Sequence, residues 1–309
     1  MGLTNFPHGI TSFGIPVFGG SQDISGKTWF VDGNLGSDGY EGTEREKPFK
    51  SLAKALAVSH ADIGNSAQRH WARRNTIHIF GDSLTEDLTA LAQKTDIIGW
   101  GTCDGLGPAR IYGNHVIANT SYPGCRFFNV AFADADALGT IFTATSYQAG
   151  LEFHGCDFLA ASGGTTAIGL LATAVTALKV KGCRFLGSWG SATGFSTAAI
   201  SLGAGAGLNT IIDNNFIENP HATGQGIIVN ASRSGGGSYI SRNYLQTVGG
   251  IPIDDDSDTF MVIDNRWITN IDCATYTAGF DFNLKLASGN LQTGGNAGDH
   301  DAVPHILNT

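Results

Sequence analysis

The chain has 309 residues and a formal charge of −9, with 43 glycines, 8 prolines and only 15% charged side chains. This composition excludes a disordered chain, which would be charge-rich and poor in aromatics, and a helical bundle rich in Leu, Glu and Lys. The acidic balance also excludes nucleic-acid binding across a broad face, because phosphate contacts need clustered Lys and Arg.

Residues 1–26 read as a separate extended arm. Gly2-Leu3-Thr4-Asn5-Phe6-Pro7-His8-Gly9-Ile10-Thr11-Ser12-Phe13-Gly14-Ile15-Pro16-Val17 mixes Phe, Ile, Val, Gly and Pro with no charge, His being neutral. It is too apolar for a free linker and too short for a domain. A segment that docks on a partner is the natural reading, with Phe6, Pro7, Phe13, Ile15 and Val17 as anchors. No basic start or continuous apolar run marks a signal peptide. Phe6 stands where myristoylation needs Ser or Thr, and no stretch approaches the ~18 apolar residues of a membrane span. The expectation is a soluble product of the cytoplasm with no membrane partner.

Lys27-Thr28-Trp29-Phe30-Val31-Asp32-Gly33 predicts a strand and turn, and Gly36-Ser37-Asp38-Gly39 continues the turn. Asp32, Asp38 and Glu41 have the chemistry of calcium ligands, but Asp-Gly pairs at this density predict turns. From Pro48 to Leu56 the apolar positions 49, 52, 53 and 56 have a helical period, with Pro in the first turn. Arg69, His70, Arg73 and Arg74 around Trp71 form a small basic cluster, read as a solvated loop ahead of a strand at Thr76–Phe80.

Gly81-Asp82-Ser83-Leu84 resembles the first block of GDSL esterases, whose serine is the nucleophile at a strand-to-helix turn. That family also needs a Gly-x-Asn-Asp block, which is absent, and a C-terminal Asp-x-x-His. The nearest match, Asp301-Ala302-Val303-Pro304-His305, is one residue too long. The preferred reading is a turn before the next strand.

The informative feature is repetition. Gly139–Phe158, Ala167–Phe185, Ala198–Phe216, Gly226–Leu245 and Gly250–Trp267 can be superimposed as strand, turn, strand and turn. One resulting column holds Val130, Cys156, Cys183, Asn214, Asn243 and Asn265, at spacings of 26, 27, 31, 29 and 22. A second column, two residues later, holds Phe132, Phe158, Phe185, Phe216, Leu245 and Trp267. Irregular periods of this size predict a β-solenoid, and residues at i and i+2 share a face, so both columns should point inward. The five cysteines (103, 125, 156, 183 and 273) have no metal-ligand spacing and read as reduced structural fillers. No cofactor or metal is expected.

Asp254-Asp255-Asp256, with Asp258 and Asp264, is the main carboxylate cluster. In the repeat frame Asp254 aligns with Thr143, Ala172, Gly203 and Asn230, at the turn between two strands. Only one coil supplies acids there, which favours a solvated turn over a metal or catalytic site. His154 alternates with inward Phe153 and should face outward.

Together, Trp29-Phe30-Val31-Asp32-Gly33, Gly36-Ser37-Asp38-Gly39, Gly42-Thr43, Lys47–Leu56, Thr76-Ile77-His78-Ile79-Phe80-Gly81, Glu86 and Ile97-Ile98-Gly99-Trp100-Gly101 resemble the opening of pectate-lyase-like proteins. The resemblance implies an all-β fold, a single-stranded right-handed parallel β-helix over residues 27–290, with a short N-terminal capping helix and an irregular tail at 291–309. It does not choose among activities, since this fold hosts lyases, hydrolases and non-catalytic virion proteins. The arm looks like the N-termini of small tailed-phage structural proteins. That likeness implies a bacteriophage capsid decoration protein, assembled in the host cytoplasm and carried on the capsid surface as a homotrimer. Its partner would be the major capsid protein or another virion protein. The alternative is a carbohydrate-active β-helix, a tailspike-like depolymerase or polysaccharide lyase, that binds a surface glycan and uses Asp254–Asp256.

Overall fold

The computed structural model describes residues 10–12, 15–18, 26–65, 73–80, 83–101, 109–118, 123–134, 139–145, 149–161, 166–173, 175–187, 193–230, 233–234, 236–248, 250–255, 257, 259–269, 287–288 and 291–292. Among these, three parallel sheets of ten, nine and six strands run along a common stack, and the fold is a parallel β-helix. One coil shows the pattern. Glu152–His154 belongs to the ten-stranded sheet, Asp157–Leu159 to the nine-stranded sheet and Thr166–Ala172 to the six-stranded sheet, after which Lys179–Lys181 starts the next coil. Each strand pairs with its equivalents one coil earlier and later, so like positions stack at the ~4.8 Å strand spacing.

The corner between the first two sheets explains the repeated small residues. Asn129, Gly155, Gly182, Asn214, Arg242 and Asp264 occupy it in successive coils, all with φ between 54° and 61°. That left-handed conformation favours Gly and then Asn or Asp. The next residue in each coil points into the core: Val130, Cys156, Cys183, Asn215, Asn243 and Asn265 are all buried.

These pairings correct the repeat frame in one coil. Asn215, not Asn214, belongs to the inward column, and Ile217, not Phe216, follows Phe185 in the aromatic column. The cause is the doublet Asn214-Asn215, whose first member takes the left-handed corner. A one-residue slip moves a side chain to the opposite face. Phe216 accordingly lies outside, stacked on Tyr244 at 5.3 Å.

The core is a set of parallel side-chain columns. Ile77, Ile97, Phe127, Phe153, Val180, Ile212, Ile240 and Val262 line the inner face of the ten-stranded sheet. Phe132, Phe158, Phe185, Ile217, Leu245 and Trp267 line that of the nine-stranded sheet. Phe158 and Phe185 lie parallel at 4.5 Å, and Phe127 and Phe153 stack at 5.4 Å. Each buried Phe contributes on the order of 1.5–3 kcal/mol.

Asparagines continue the inward column towards the C-terminus as a hydrogen-bonded ladder. Asn215 Nδ2 donates to Asn243 Oδ1, and Asn243 Nδ2 to Asn265 Oδ1, both at 2.9 Å. The ladder satisfies amides that would otherwise be costly to bury.

The predicted cap is present and longer than its periodicity indicated. A helix spans Leu52–Asn65 and packs on the first strands of the ten-stranded sheet. Leu52, Ala55, Leu56 and Ile63 face the core, whereas Ala53, placed on the apolar face by the sequence reading, is exposed. Ser51 Oγ accepts the N–H of Lys54, the N-capping bond. Glu86, from the next coil, accepts the N–H groups of Leu52 and Ala53 at 2.7 and 2.9 Å. Asp38 accepts those of Lys50 and Ser51. Two carboxylates at a helix N-terminus complement its dipole and pin the cap to the solenoid.

Candidate binding surfaces

Two short strands, Ile10–Ser12 and Ile15–Phe18, form an antiparallel pair with each other and, among the described residues, with no strand of the solenoid. Pro16 lies opposite Thr11, and such a two-stranded ribbon tolerates a residue without an N–H. Of the five proposed anchors, Ile15 and Val17 fall on the second strand. Phe6, Pro7 and Phe13 lie outside the described residues.

The acidic segment is a strand, which corrects its placement at a turn. Ile253–Asp255 pairs with Gln225–Val229, setting Asp254 opposite Ile228 and Asp255 opposite Val229. Alternation therefore points the two carboxylates to opposite faces. Asp254 Oδ2 accepts from Gln225 Nε2 at 3.0 Å. Asp255 is buried, its Oδ1 bonded to the backbone and hydroxyl of Ser257. Asp256 and Asp258 lie outside the described residues. A strand cannot bring neighbouring carboxylates to one face, so Asp254 and Asp255 do not form an acid pair.

Elsewhere four outward-pointing carboxylates of the two longer sheets, Asp96, Glu152, Asp157 and Asp213, are held by cations. Asp96 takes a two-pronged contact from Arg126, at 2.7 and 2.6 Å, and a third bond from Arg74 at 2.8 Å. Two coils after Asp96, Glu152 bonds Lys179 and His154, both at 2.7 Å. Burial alone would raise the Glu152 pKa, but these two partners more than offset it and hold the carboxyl below its usual range. Asp157 pairs with Arg184, and Asp213 with Arg242, each through both carboxylate oxygens. On the ten-stranded sheet Asp96, Arg126, Glu152 and Lys179 stack in register as a strip of alternating charge.

The basic cluster divides. Arg69, His70 and Trp71 lie outside the described residues, but Arg73 is buried against Asp62 at 3.0 Å, not solvated in a loop. Arg74 bridges Asp96 and the carbonyl of Gly124. Arg73 therefore ties the capping helix to the solenoid, and Arg74 ties successive coils together. Asp32 accepts the N–H groups of Asn34 and Leu35, the turn its sequence predicts. Ser83 begins a three-residue strand in the nine-stranded sheet, so the esterase-like serine does not sit at a strand-to-helix turn. Cys125, Cys156 and Cys183 are buried free thiols, and burial pushes the Cys125 pKa up to about 12.

One feature of the exterior was not anticipated. At the N-terminal end of the ten-stranded sheet, Phe30, His78, Phe80 and Trp100 pack together outside the core. Phe30 stacks on His78 at 5.6 Å, and Phe80 on Trp100 at 5.4 Å and 17°. The guanidinium of Arg45 lies 4.9 Å from the Phe80 ring centre, and Trp100 is 51% exposed. The period-2 runs Trp29-Phe30-Val31 and Ile77-His78-Ile79-Phe80 carried the signal, because Trp29, Val31, Ile77 and Ile79 are the inward members. No family model, curated protein or solved structure matches the chain.

Proposed function

We propose that the chain is a non-enzymatic structural protein of a tailed-phage virion, a capsid decoration protein that attaches through its N-terminal arm. The observation that carries this reading is the strand pairing of the described arm residues. Among the described residues, the arm's strands Ile10–Ser12 and Ile15–Phe18 pair with each other and with none of the three stacked sheets, in a segment that carries no Asp, Glu, Lys or Arg from Gly2 to Val17. An apolar segment outside the fold's own ladder is suited to docking on another protein. Trimerisation on the shell belongs to the same proposal and rests on the family resemblance.

The coil architecture is compatible with life on a particle surface. Backbone ladders run through successive coils, and the outward carboxylates Asp96, Glu152, Asp157 and Asp213 serve as ties between coils. The divergent directions of Asp254 and Asp255 weaken the alternative in which that segment cleaves a polysaccharide. The test is electron microscopy of capsids that lack this protein, before and after the purified chain is added. Regular new projections on the shell are expected. Bare shells at saturating protein would overturn the proposal.

A further inference from the structure

The two arm strands present unequal backbone edges. Ser12 pairs with Ile15, and Thr11 with Pro16. In an antiparallel ladder, opposed residues alternate between pairs that exchange both N–H···O bonds and pairs that exchange none. Proline has no N–H, so the Thr11–Pro16 pair is of the second kind, and the backbone groups of both residues point away from the ribbon. On the edge of the second strand, Pro16 offers a carbonyl and no donor. On the edge of the first, Thr11 offers both an N–H and a carbonyl. Among the described residues neither edge has a partner strand. A two-stranded ribbon alone is marginally stable in water, and a third strand relieves this.

We infer that the arm attaches by adding its first strand, through the Thr11 edge, to an open β-sheet edge of the shell protein. The inference rests on the proposed attachment through the arm and supplies its chemistry, main-chain hydrogen bonds to a strand edge. Such bonds suit a segment without Asp, Glu, Lys or Arg from Gly2 to Val17, because they need no charge on either side. Pro16 blunts the opposite edge, so the ribbon takes a new strand fully on one side only. The solenoid of a second copy offers no such edge at the N-terminal end of its ten-stranded sheet. There the first strand, Thr28–Asp32, is already paired on its outer side. Phe30 N–H donates to Gly42, Asp32 N–H to Phe49 and Phe49 N–H to Phe30, at 2.8, 2.9 and 2.8 Å.

The test compares full-length wild type, Thr11→Pro and Thr11→Val in binding to capsids that lack this protein. Thr11→Pro removes the outward N–H, and the ribbon accommodates it because Ile10 before it is already extended. Affinity should fall roughly tenfold or more in Thr11→Pro, the effect of one donor lost from a strand edge. It should be largely retained in Thr11→Val, which keeps the N–H. In the wild type, deuterium exchange of the Thr11 amide should slow on capsid binding. Equal binding by Thr11→Pro, or a Thr11 amide that exchanges as fast on the capsid as off it, would overturn the inference while leaving attachment through the arm intact. A wild type that never binds would bring down the attachment reading itself, and the inference with it. Sedimentation velocity of the free proteins should be unchanged by Thr11→Pro. An oligomer that this substitution dissociates would assign the edge to a second copy and overturn the inference.

Discussion

The thiol of Cys183 lies 3.5 Å from the carbonyl oxygen of Phe153, the acceptor position that the amide of Asn215 reaches one coil later at Val180. Cys156 repeats the contact on Phe127 at 3.6 Å. The cysteines thus sit in the asparagine ladder as weaker donors. Asn215 Oδ1 closes the junction between the two halves by accepting the N–H of Cys183 at 2.9 Å.

The ladder predicts opposite effects for two substitutions. Asn243 gives and receives bonds on both sides, from the backbone N–H and amide of Asn215 to Ile212 and Asn265. Asn243→Ala leaves several buried groups unpaired and should cost about 3 kcal/mol or more. Cys183→Asn, by contrast, extends the ladder by one rung with little change in volume and should stabilise by about 1 kcal/mol. Equilibrium urea unfolding of the two variants against the wild type measures both.

The corrected register predicts a contrast between adjacent residues. Ile217 is fully buried between Phe185 and Leu245, so Ile217→Ala should cost about 2–5 kcal/mol. Phe216 is half-buried outside the core, stacked on Tyr244, and Phe216→Ala should cost about 1 kcal/mol. Reversed magnitudes in thermal or urea unfolding would restore the alignment that put Phe216 inside.

Most of the architecture was legible because a solenoid repeats its constraints. The aromatic column Phe132, Phe158 and Phe185 and the corner glycines Gly155 and Gly182 announce the coil directly. What escaped depended on single residues with two admissible roles. Asn214 and Asn215 are chemically alike, and only the backbone decides which turns the corner. Asp255 lies inside a column of Ala144, Ala172, Leu202 and Val229, where a carboxylate contradicts the apolar pattern. Arg73 is buried because Asp62, on the capping helix, meets it across a gap in sequence that local patterning does not bridge. The arm was readable only as composition, since its partner surface belongs to another molecule in this account.

A buried histidine predicts acid sensitivity. His115 Nδ1 accepts the N–H of Leu88 at 3.1 Å, and its ring packs edge-on against Phe132 at 5.5 Å. Burial lowers its pKa from 6.5 to about 4, the nearby charge of Asp87 opposing only in part. The unfolded chain therefore binds the proton first. The contribution is fully present above pH 6.5 and is lost progressively as the pH falls towards 4, by roughly 3 kcal/mol at most. His115→Gln, which keeps an acceptor for Leu88, should flatten the fall in stability between pH 6.5 and 5. An unchanged pH profile in that variant would show that His115 does not set it.

Attachment through the arm is the central claim, and co-sedimentation tests it most directly. Full-length protein is mixed with phage capsids that lack it, alongside a full-length variant carrying Ile15→Asp and Val17→Asp in the second arm strand. Both proteins should melt at the same temperature, because among the described residues that strand pairs only with the other arm strand. The account predicts that the wild type pellets with the capsids and the variant stays in the supernatant. Equal pelleting of the two proteins would contradict it, and so would a wild type that never pellets.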